Sequence, residues 1–89
     1  SRRITSTDMR MTYDNSIDAG YVYLNDRPVE KTIQINEWIL LDVDKKENIV
    51  GIEILDVSRK LSDEHLKDLK NKKMKALPIE VLSHIPAFA

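Results

Sequence analysis

The hydrophobic pattern changes from strand-like to helix-like near residue 58, and this change constrains the fold more than any other feature. Residues 10–57 hold short runs of aromatic and branched side chains separated by turn-forming residues, which predict β-strands. Residues 58–89 carry apolar side chains at helical spacing instead. We therefore predict an α+β fold, with an antiparallel β-meander of four to five strands followed by one or two C-terminal helices.

The length of 89 residues fits one small domain, and the absence of cysteine excludes a disulfide brace. We assign residues 11–89 to this domain, with the sheet over 11–57 and the helical segment over 58–89. Residues 1–10 are interpreted as a disordered arm or a cloning remnant. No apolar run approaches the roughly 18 residues of a membrane span, so we expect a cytoplasmic protein without a membrane partner.

Two of the predicted strands indicate how the sheet is packed. The run 38–41 is apolar at every position, which predicts cover on both faces, by the core on one and by a helix or a second subunit on the other. Trp38 is therefore the first candidate for a contact across an interface. In the run 49–57, Gly51 predicts either a bulge or close packing of another backbone or a large ring. The predicted strands span residues 10–13, 21–24, 31–36, 38–41 and 49–57.

The helical segment is expected to need a surface on which to dock. Ser62 is a good N-cap, and lysines lie toward the far end of the helix that follows, which suits the helix dipole. The apolar stripe of this helix is too narrow to stabilise it alone. Pro78 fits the first position of a final short helix, whose apolar side chains should be buried against the sheet or another copy. The predicted interface residues are Trp38, Leu40, Leu77, Ile79, Leu82, Ile85 and Phe88.

Charge is segregated along the chain, although the formal net charge is only −1. Residues 11–57 contain ten acidic and four basic side chains, whereas residues 59–76 contain seven basic and three acidic ones. The two parts could attract each other, within or between chains, or face different partners. A basic patch in the second part is a candidate for nucleic-acid binding, with a solvated helix face as the favoured alternative. The patch consists of Lys67, Lys70, Lys72, Lys73 and Lys75.

Acidic side chains give two weak signals for a bound cation. Asp14 and Asp18 lie four residues apart in a turn-rich segment, where hydrogen bonds to neighbouring amides are the favoured interpretation. Asp42, Asp44 and Asn48 are spaced loosely like calcium ligands, but the glycine and the terminal glutamate of a calcium loop are missing. We therefore predict solvated turns and no metal site.

Side chains suited to catalysis are scarce. His65 and His84 lie on separate elements and do not have the spacing of metal ligands. No glycine-flanked serine and no glycine-rich phosphate loop is present in the sequence. We predict that the protein is not an enzyme and binds no cofactor. A hydrolase that uses Asp14, Asp18 and Glu53 is the least favoured alternative.

Four sequence blocks within residues 11–61 are shared with a known family. They are Tyr13-Asp14, Asp18-Ala19-Gly20-Tyr21-Val22-Tyr23-Leu24, Ile39-Leu40-Leu41-Asp42-Val43-Asp44 and, most specifically, Val50-Gly51-Ile52-Glu53-Ile54-Leu55-Asp56-Val57-Ser58. In these blocks the chain resembles the small prokaryotic family catalogued as domain of unknown function 2283. The resemblance implies a compact antiparallel sheet followed by a helical segment, without established catalytic activity. Genes of this family often lie beside genes for small toxin-like proteins, which implies an antitoxin-like or accessory binding role.

These observations favour a non-enzymatic protein-binding module that self-associates, with a dimer as the favoured oligomer. Its acidic front half is expected to neutralise a small toxin-like partner protein by covering a basic surface. The alternative is a nucleic-acid-binding or regulatory protein that uses the basic residues between positions 67 and 75.

Overall fold

The computed structural model describes residues 10–74 and 76–85. These residues form a five-stranded antiparallel sheet and three short helices, which confirms the predicted α+β class. The strands are β1 (Arg10–Asp14), β2 (Ala19–Tyr23), β3 (Lys31–Gln34), β4 (Ile39–Val43) and β5 (Ile49–Ile54). The helices are α1 (Val57–Lys60), α2 (Asp63–Lys70) and α3 (Ile79–Leu82).

The strand order is β1-β2-β5-β4-β3, which corrects the prediction of a simple meander. β1 and β2 form one hairpin, β3 to β5 form a three-stranded meander, and β5 then pairs with β2. This order places β5, whose residues are all buried or half-buried, at the centre of the sheet. The connection of residues 24–30 crosses to the far edge. Seven extended residues reach about 23 Å, and three strand spacings need only about 14 Å.

The helices cover one face of the sheet and form the core with it. On that face Val22, Ile39 and Ile52, one from each central strand, are at most 1% exposed. They belong to one cluster with Leu69 of α2 and Val81 of α3. Because burying a side chain of this size contributes about 1.5–3 kcal/mol, this apolar layer holds the helices on the sheet.

Strand β4 alternates between the two faces, which corrects the predicted cover on both sides of residues 38–41. Ile39 is fully buried beneath the helices, whereas Leu40 lies half-buried on the opposite face. The strand begins after Trp38 because the side-chain oxygen of Asn36 accepts hydrogen bonds from the amides of Trp38 and Ile39, at 2.8 and 2.9 Å. No described element supplies the expected cover on the second face.

The predicted strand 49–57 ends at Ile54, and an additional short helix begins at Val57. Asp56 adopts the left-handed backbone conformation with φ of 51°, which a short polar side chain tolerates and which ends the extended run. The fully buried Val57 then begins α1. The described residues therefore hold three short helices, where one or two were expected. None of the three is long and apolar enough to cross a membrane.

The carboxylate of Glu80, in the first turn of α3, joins α3 to the N-terminal end of α2. The predicted cap is confirmed, since the hydroxyl of Ser62 accepts a hydrogen bond from the amide of His65 at 3.1 Å. Pro78 lies one position earlier than predicted, immediately before α3. Glu80 accepts a hydrogen bond from the amide of Ser62 at 2.8 Å and lies 2.8 Å from Nδ1 of His65. Burial alone would raise the pKa of Glu80, but the hydrogen bonds from His65 and from the Ser62 amide outweigh burial and lower the pKa.

We expect Glu80→Ala to loosen α3 and to lower the free energy of unfolding by about 1–2 kcal/mol, because a charged acceptor loses its hydrogen bonds at a partly exposed site. The pKa of Glu80 is lower in the folded than in the unfolded chain. Its contribution is therefore present above about pH 4.5 and is lost as the pH falls through the folded-state pKa.

Urea denaturation of both proteins at pH 7 and at pH 3 measures this effect, which should be present at pH 7 and much smaller at pH 3. Glu64→Ala removes an exposed carboxylate from the first turn of α2 and serves as the matched control. It should cost about 0.5 kcal/mol or less. An equal loss at both pH values in the Glu80 variant would contradict the role of its carboxylate.

Candidate functional site

The face of the sheet opposite the helices carries two rows of side chains that run across all five strands. Residues directly opposite each other on antiparallel strands share a face, so the strand register defines both rows. We call these ten residues the open face. The buried residues of the helices belong to the cluster on the other face. One row is Thr12, Tyr21, Glu53, Leu40 and Gln34, and the other is Arg10, Tyr23, Gly51, Asp42 and Thr32.

The ring of Tyr21 lies across β5 on top of Gly51. A Cβ atom on Gly51 would lie 2.5 Å from ring carbon Cζ of Tyr21 and 2.8 Å from Cε2, so only glycine leaves room for the ring. The prediction of a large ring packed close to Gly51 is therefore confirmed. The bulge that was the alternative is also present beside Gly51. Asp42 pairs with Gly51 and Val43 pairs with Ile49, so Val50 of β5 is an extra residue without a partner on β4.

Asp42, considered above as a cation ligand, accepts hydrogen bonds from two hydroxyl groups instead. The hydroxyl of Tyr21 donates to Oδ2, and the hydroxyl of Thr32 donates to Oδ1 at 2.6 Å. Burial and then the hydrogen bond to Asp42 raise the pKa of Tyr21 well above its ordinary value. The phenol is therefore protonated at neutral pH, where it acts as a hydrogen-bond donor and not as a base or a nucleophile.

Tyr23 presents an aromatic surface beside Tyr21. Its side chain is 37% exposed, and its ring packs edge-on against the ring of Tyr21 with centroids 4.6 Å apart. The guanidinium carbon of Arg10 lies 4.5 Å from the centroid of the Tyr23 ring, which is the geometry of a cation–π contact. Two carboxylates, Asp42 and Glu53, belong to the same face. This surface combines aromatic rings with more negative than positive charge.

Asp18 forms a separate polar cluster that ties the β1–β2 hairpin to α1. It adopts the left-handed conformation with φ of 53°. Its carboxylate accepts hydrogen bonds from the hydroxyl of Tyr13 at 2.7 Å and from the hydroxyl and the amide of Ser58 at 2.7 and 3.1 Å. These bonds, first from Tyr13 and then from Ser58, lower the pKa of Asp18, and the charge of Lys70 adds to the effect. The carboxylate of Asp18 therefore stabilises the packing of the β1–β2 hairpin against α1.

The other acidic residues considered as cation ligands are engaged in turns. Asp14 accepts hydrogen bonds from the amide and the hydroxyl of Ser16, at 3.0 and 2.6 Å. Asp44 accepts hydrogen bonds from the amides of Lys46 and Asn48, both at 2.9 Å. The turn interpretation is confirmed for Asp14, which is exposed. Asp44 also lies in a turn, but it is only 7% exposed, so the prediction of a solvated turn is wrong there. Within residues 10–74 and 76–85, no group of three acidic or histidine side chains is placed to hold a metal ion.

The basic patch lies on the helical side of the molecule, and four of its lysines are described and exposed. Lys75 lies outside the described residues. The Nζ atom of Lys70 is 5.6 Å from the centroid of the Tyr13 ring, so an aromatic side chain borders the patch. In the described part of the chain, no salt bridge joins these lysines to a carboxylate of the sheet. The salt bridges found there are Arg27–Asp44, Lys31–Glu47 and His65–Glu80.

The fold divides the predicted interface residues into covered and uncovered ones. Trp38 is 9% exposed and Ile85 is fully buried within the single chain. Lys60 and His84 both contact the Trp38 ring, each at 5.5 Å from its centroid. Trp38 therefore has little surface left for a second copy.

The other predicted interface residues that the structure describes are at least partly uncovered. Ile79 is 66% exposed, and Leu40, Leu77 and Leu82 are half-buried. Phe88 lies outside the described residues. Self-association stays a prediction.

The open face is not recognisable as a site from the sequence alone. The alternation within each strand correctly predicts that Tyr21 and Tyr23 point to the same side. Tyr21 becomes a neighbour of Glu53 only because β5 pairs with β2. Each strand therefore shows which of its own side chains share a face. Only the strand order shows which strands lie side by side, and hence which side chains form the open face.

The fold and the site together define a small α+β protein with a sheet covered by helices on one face and displaying tyrosines on the other. Residues 10–58 match the family model described as "Protein of unknown function (DUF2283)". Because this match covers more than half of the 89 residues, the chain belongs to that family. The matched segment contains all five strands and the open face, whereas α2 and α3 follow it. No curated protein and no solved structure matches the chain.

Proposed function

We propose that this protein is a non-catalytic protein-binding module that uses its open face to cover a basic surface of another protein. The observation that supports this function is the display of Tyr21 and Tyr23 near the middle of the sheet, on the face opposite the helices. Tyrosine is favoured at protein interfaces because its ring supplies apolar area and its hydroxyl still finds hydrogen-bond partners. The proposed partner is a small toxin-like protein, so that the role is antitoxin-like or accessory.

The charge distribution supports a basic partner. Residues 11–57 carry a net charge of −6, and the open face places Glu53 and Asp42 on its central strands with Arg10 at its edge. Among the described residues, the lysines of the basic patch make no salt bridge to a carboxylate of the open face. Complementary charge accelerates encounter and favours partners of the opposite sign.

Co-expression with the product of the adjacent gene, followed by purification on a tag carried by that product, tests the proposal. Glu53→Lys reverses a charge on the open face, and Lys67→Glu reverses one on the helical side. We expect the wild type and Lys67→Glu to co-purify, and Glu53→Lys to lose at least about tenfold in yield because like charges then face each other.

Circular dichroism establishes that both variants are folded before the yields are compared. Co-purification that survives Glu53→Lys and fails with Lys67→Glu would overturn the assignment of the open face. Failure of the wild type to co-purify would remove the antitoxin-like role.

Nucleic-acid binding through the basic patch is a second candidate, and one observation favours it. Tyr13 lies beside Lys70, and together with Asn15 and Lys72 they border a hollow, so that a ring suited to stacking accompanies the positive charge. Electrophoretic mobility of single-stranded and duplex DNA and RNA at low salt tests it. A shift that weakens steeply with added salt supports this function, and the absence of a shift rejects it.

A further inference from the structure

We propose that the open face recognises an arginine side chain of its partner, and that Arg10 occupies the place of that arginine in the free protein. This inference rests on the proposed function for the existence of a partner. It adds the chemistry that the partner has to present, which is a guanidinium group.

The contact between Arg10 and Tyr23 shows that this ring accepts a guanidinium group. The guanidinium carbon lies 4.5 Å from the ring centroid, within the distance of a favourable cation–π contact. Arg10 is exposed and begins β1, an edge strand of the sheet. An exposed side chain at an edge can leave the ring without disturbing the core, so a second guanidinium can replace it.

The Tyr23 ring is held ready for such a ligand by its neighbours. Tyr21 packs edge-on against it at 4.6 Å, and Tyr21 is itself fixed by the hydrogen bond to Asp42 and by the space above Gly51. A ring that is already in place lowers the entropy cost of binding. The free protein therefore presents an ordered aromatic surface.

Glu53 supplies the charge that a guanidinium group needs. It lies opposite Tyr21 in the register and is therefore a diagonal neighbour of Tyr23, at about 7–8 Å between backbone positions, within the reach of an arginine side chain. Arginine stacks on an aromatic ring through its plane and can pair with a carboxylate at the same time, whereas lysine offers a compact, strongly hydrated charge. The combination of Tyr23 and Glu53 therefore favours arginine over lysine.

Titration of the ¹⁵N-labelled full chain with two short peptides tests the inference. Both peptides have a glycine–serine spacer, and one carries two arginines where the other carries two lysines. We expect the arginine peptide to shift the amide signals of Tyr21, Tyr23 and Glu53 and to bind about threefold more tightly than the lysine peptide. Arg10→Ala should strengthen binding of the arginine peptide about three- to fivefold, because it removes the internal competitor.

Arg59→Ala is the matched control, since it removes the same charge from an exposed position of α1, on the helical side. It should change the affinity by less than about 1.5-fold, because its distance from the open face leaves only screened electrostatics. Equal effects of the two substitutions, equal binding of the two peptides, or shifts confined to α2 would each overturn the inference. If Arg10→Ala fails to strengthen peptide binding while Glu53→Lys still abolishes co-purification, arginine recognition is wrong and the proposed function stands.

Discussion

Replacing Ile52 by alanine should lower the free energy of unfolding by about 3–4 kcal/mol, because it opens a cavity at the centre of the core. Ile52 is fully buried on β5, and the register places it between Val22 on β2 and Leu41 on β4. Domains are stable by only about 5–15 kcal/mol, so this loss is a large fraction of the total. Urea denaturation followed by circular dichroism measures it.

Ile17→Ala is the control for Ile52→Ala, because Ile17 is 65% exposed in the β1–β2 turn. It should change the stability by about 0.5 kcal/mol or less. A loss below about 1 kcal/mol in the Ile52 variant would show that β5 does not lie at the centre of the core.

Asp18→Ala should produce the second large effect, a loss of about 2 kcal/mol. The variant removes the acceptor of the hydrogen bonds from Tyr13 and Ser58, and alanine tolerates the left-handed backbone at this position less well than aspartate. Asp18→Asn keeps the tolerance of that backbone and one oxygen acceptor, so we expect an intermediate loss. Asp26→Ala, which removes an exposed carboxylate, should have little effect.

The effect of Asp18→Ala should also depend on pH in a defined direction. The pKa of Asp18 is lower in the folded chain than its ordinary value of 3.8, so the carboxylate stabilises the fold above about pH 4. This contribution is lost as the pH falls through the folded-state pKa. Denaturation of wild type and variant across pH 2–7 should therefore show a difference that shrinks in acid. A difference that grows in acid would contradict the assignment of Asp18 as a charged acceptor.

Several elements of the fold were predictable because their signals are local. Alternating side chains located strands such as Ile49–Ile54, and the Ser62 cap located the start of α2. Gly51 predicted the close approach of a ring, because an absent Cβ is itself a local signal. The class of the protein followed from these segments and their order along the chain.

The strand order and the open face were not predictable, because both depend on contacts between residues distant in sequence. The hydrogen bonds from Ser58 to Asp18 join residues 40 positions apart, and the hydroxyl of Tyr21 reaches Asp42 over 21 positions. The left-handed conformation of Asp56 is also not predictable from the apolar pattern, which continues to residue 57 although β5 ends at Ile54. From the sequence, Trp38 is a candidate for an interface, because the apolar run around it does not show what covers its ring. The contacts with His84 and Lys60 that bury the ring form only in the tertiary fold.

The complete absence of cysteine allows the binding surface to be tested by single labels. Thr12→Cys places a thiol on the open face in the row of Tyr21, and Lys67→Cys places one on the exposed side of α2. Each variant is reacted with a bulky maleimide and mixed with the product of the adjacent gene. We expect the label on Thr12→Cys to abolish binding and the label on Lys67→Cys to leave it intact. Binding that survives the first label and is lost with the second would contradict the assignment of the open face as the binding surface.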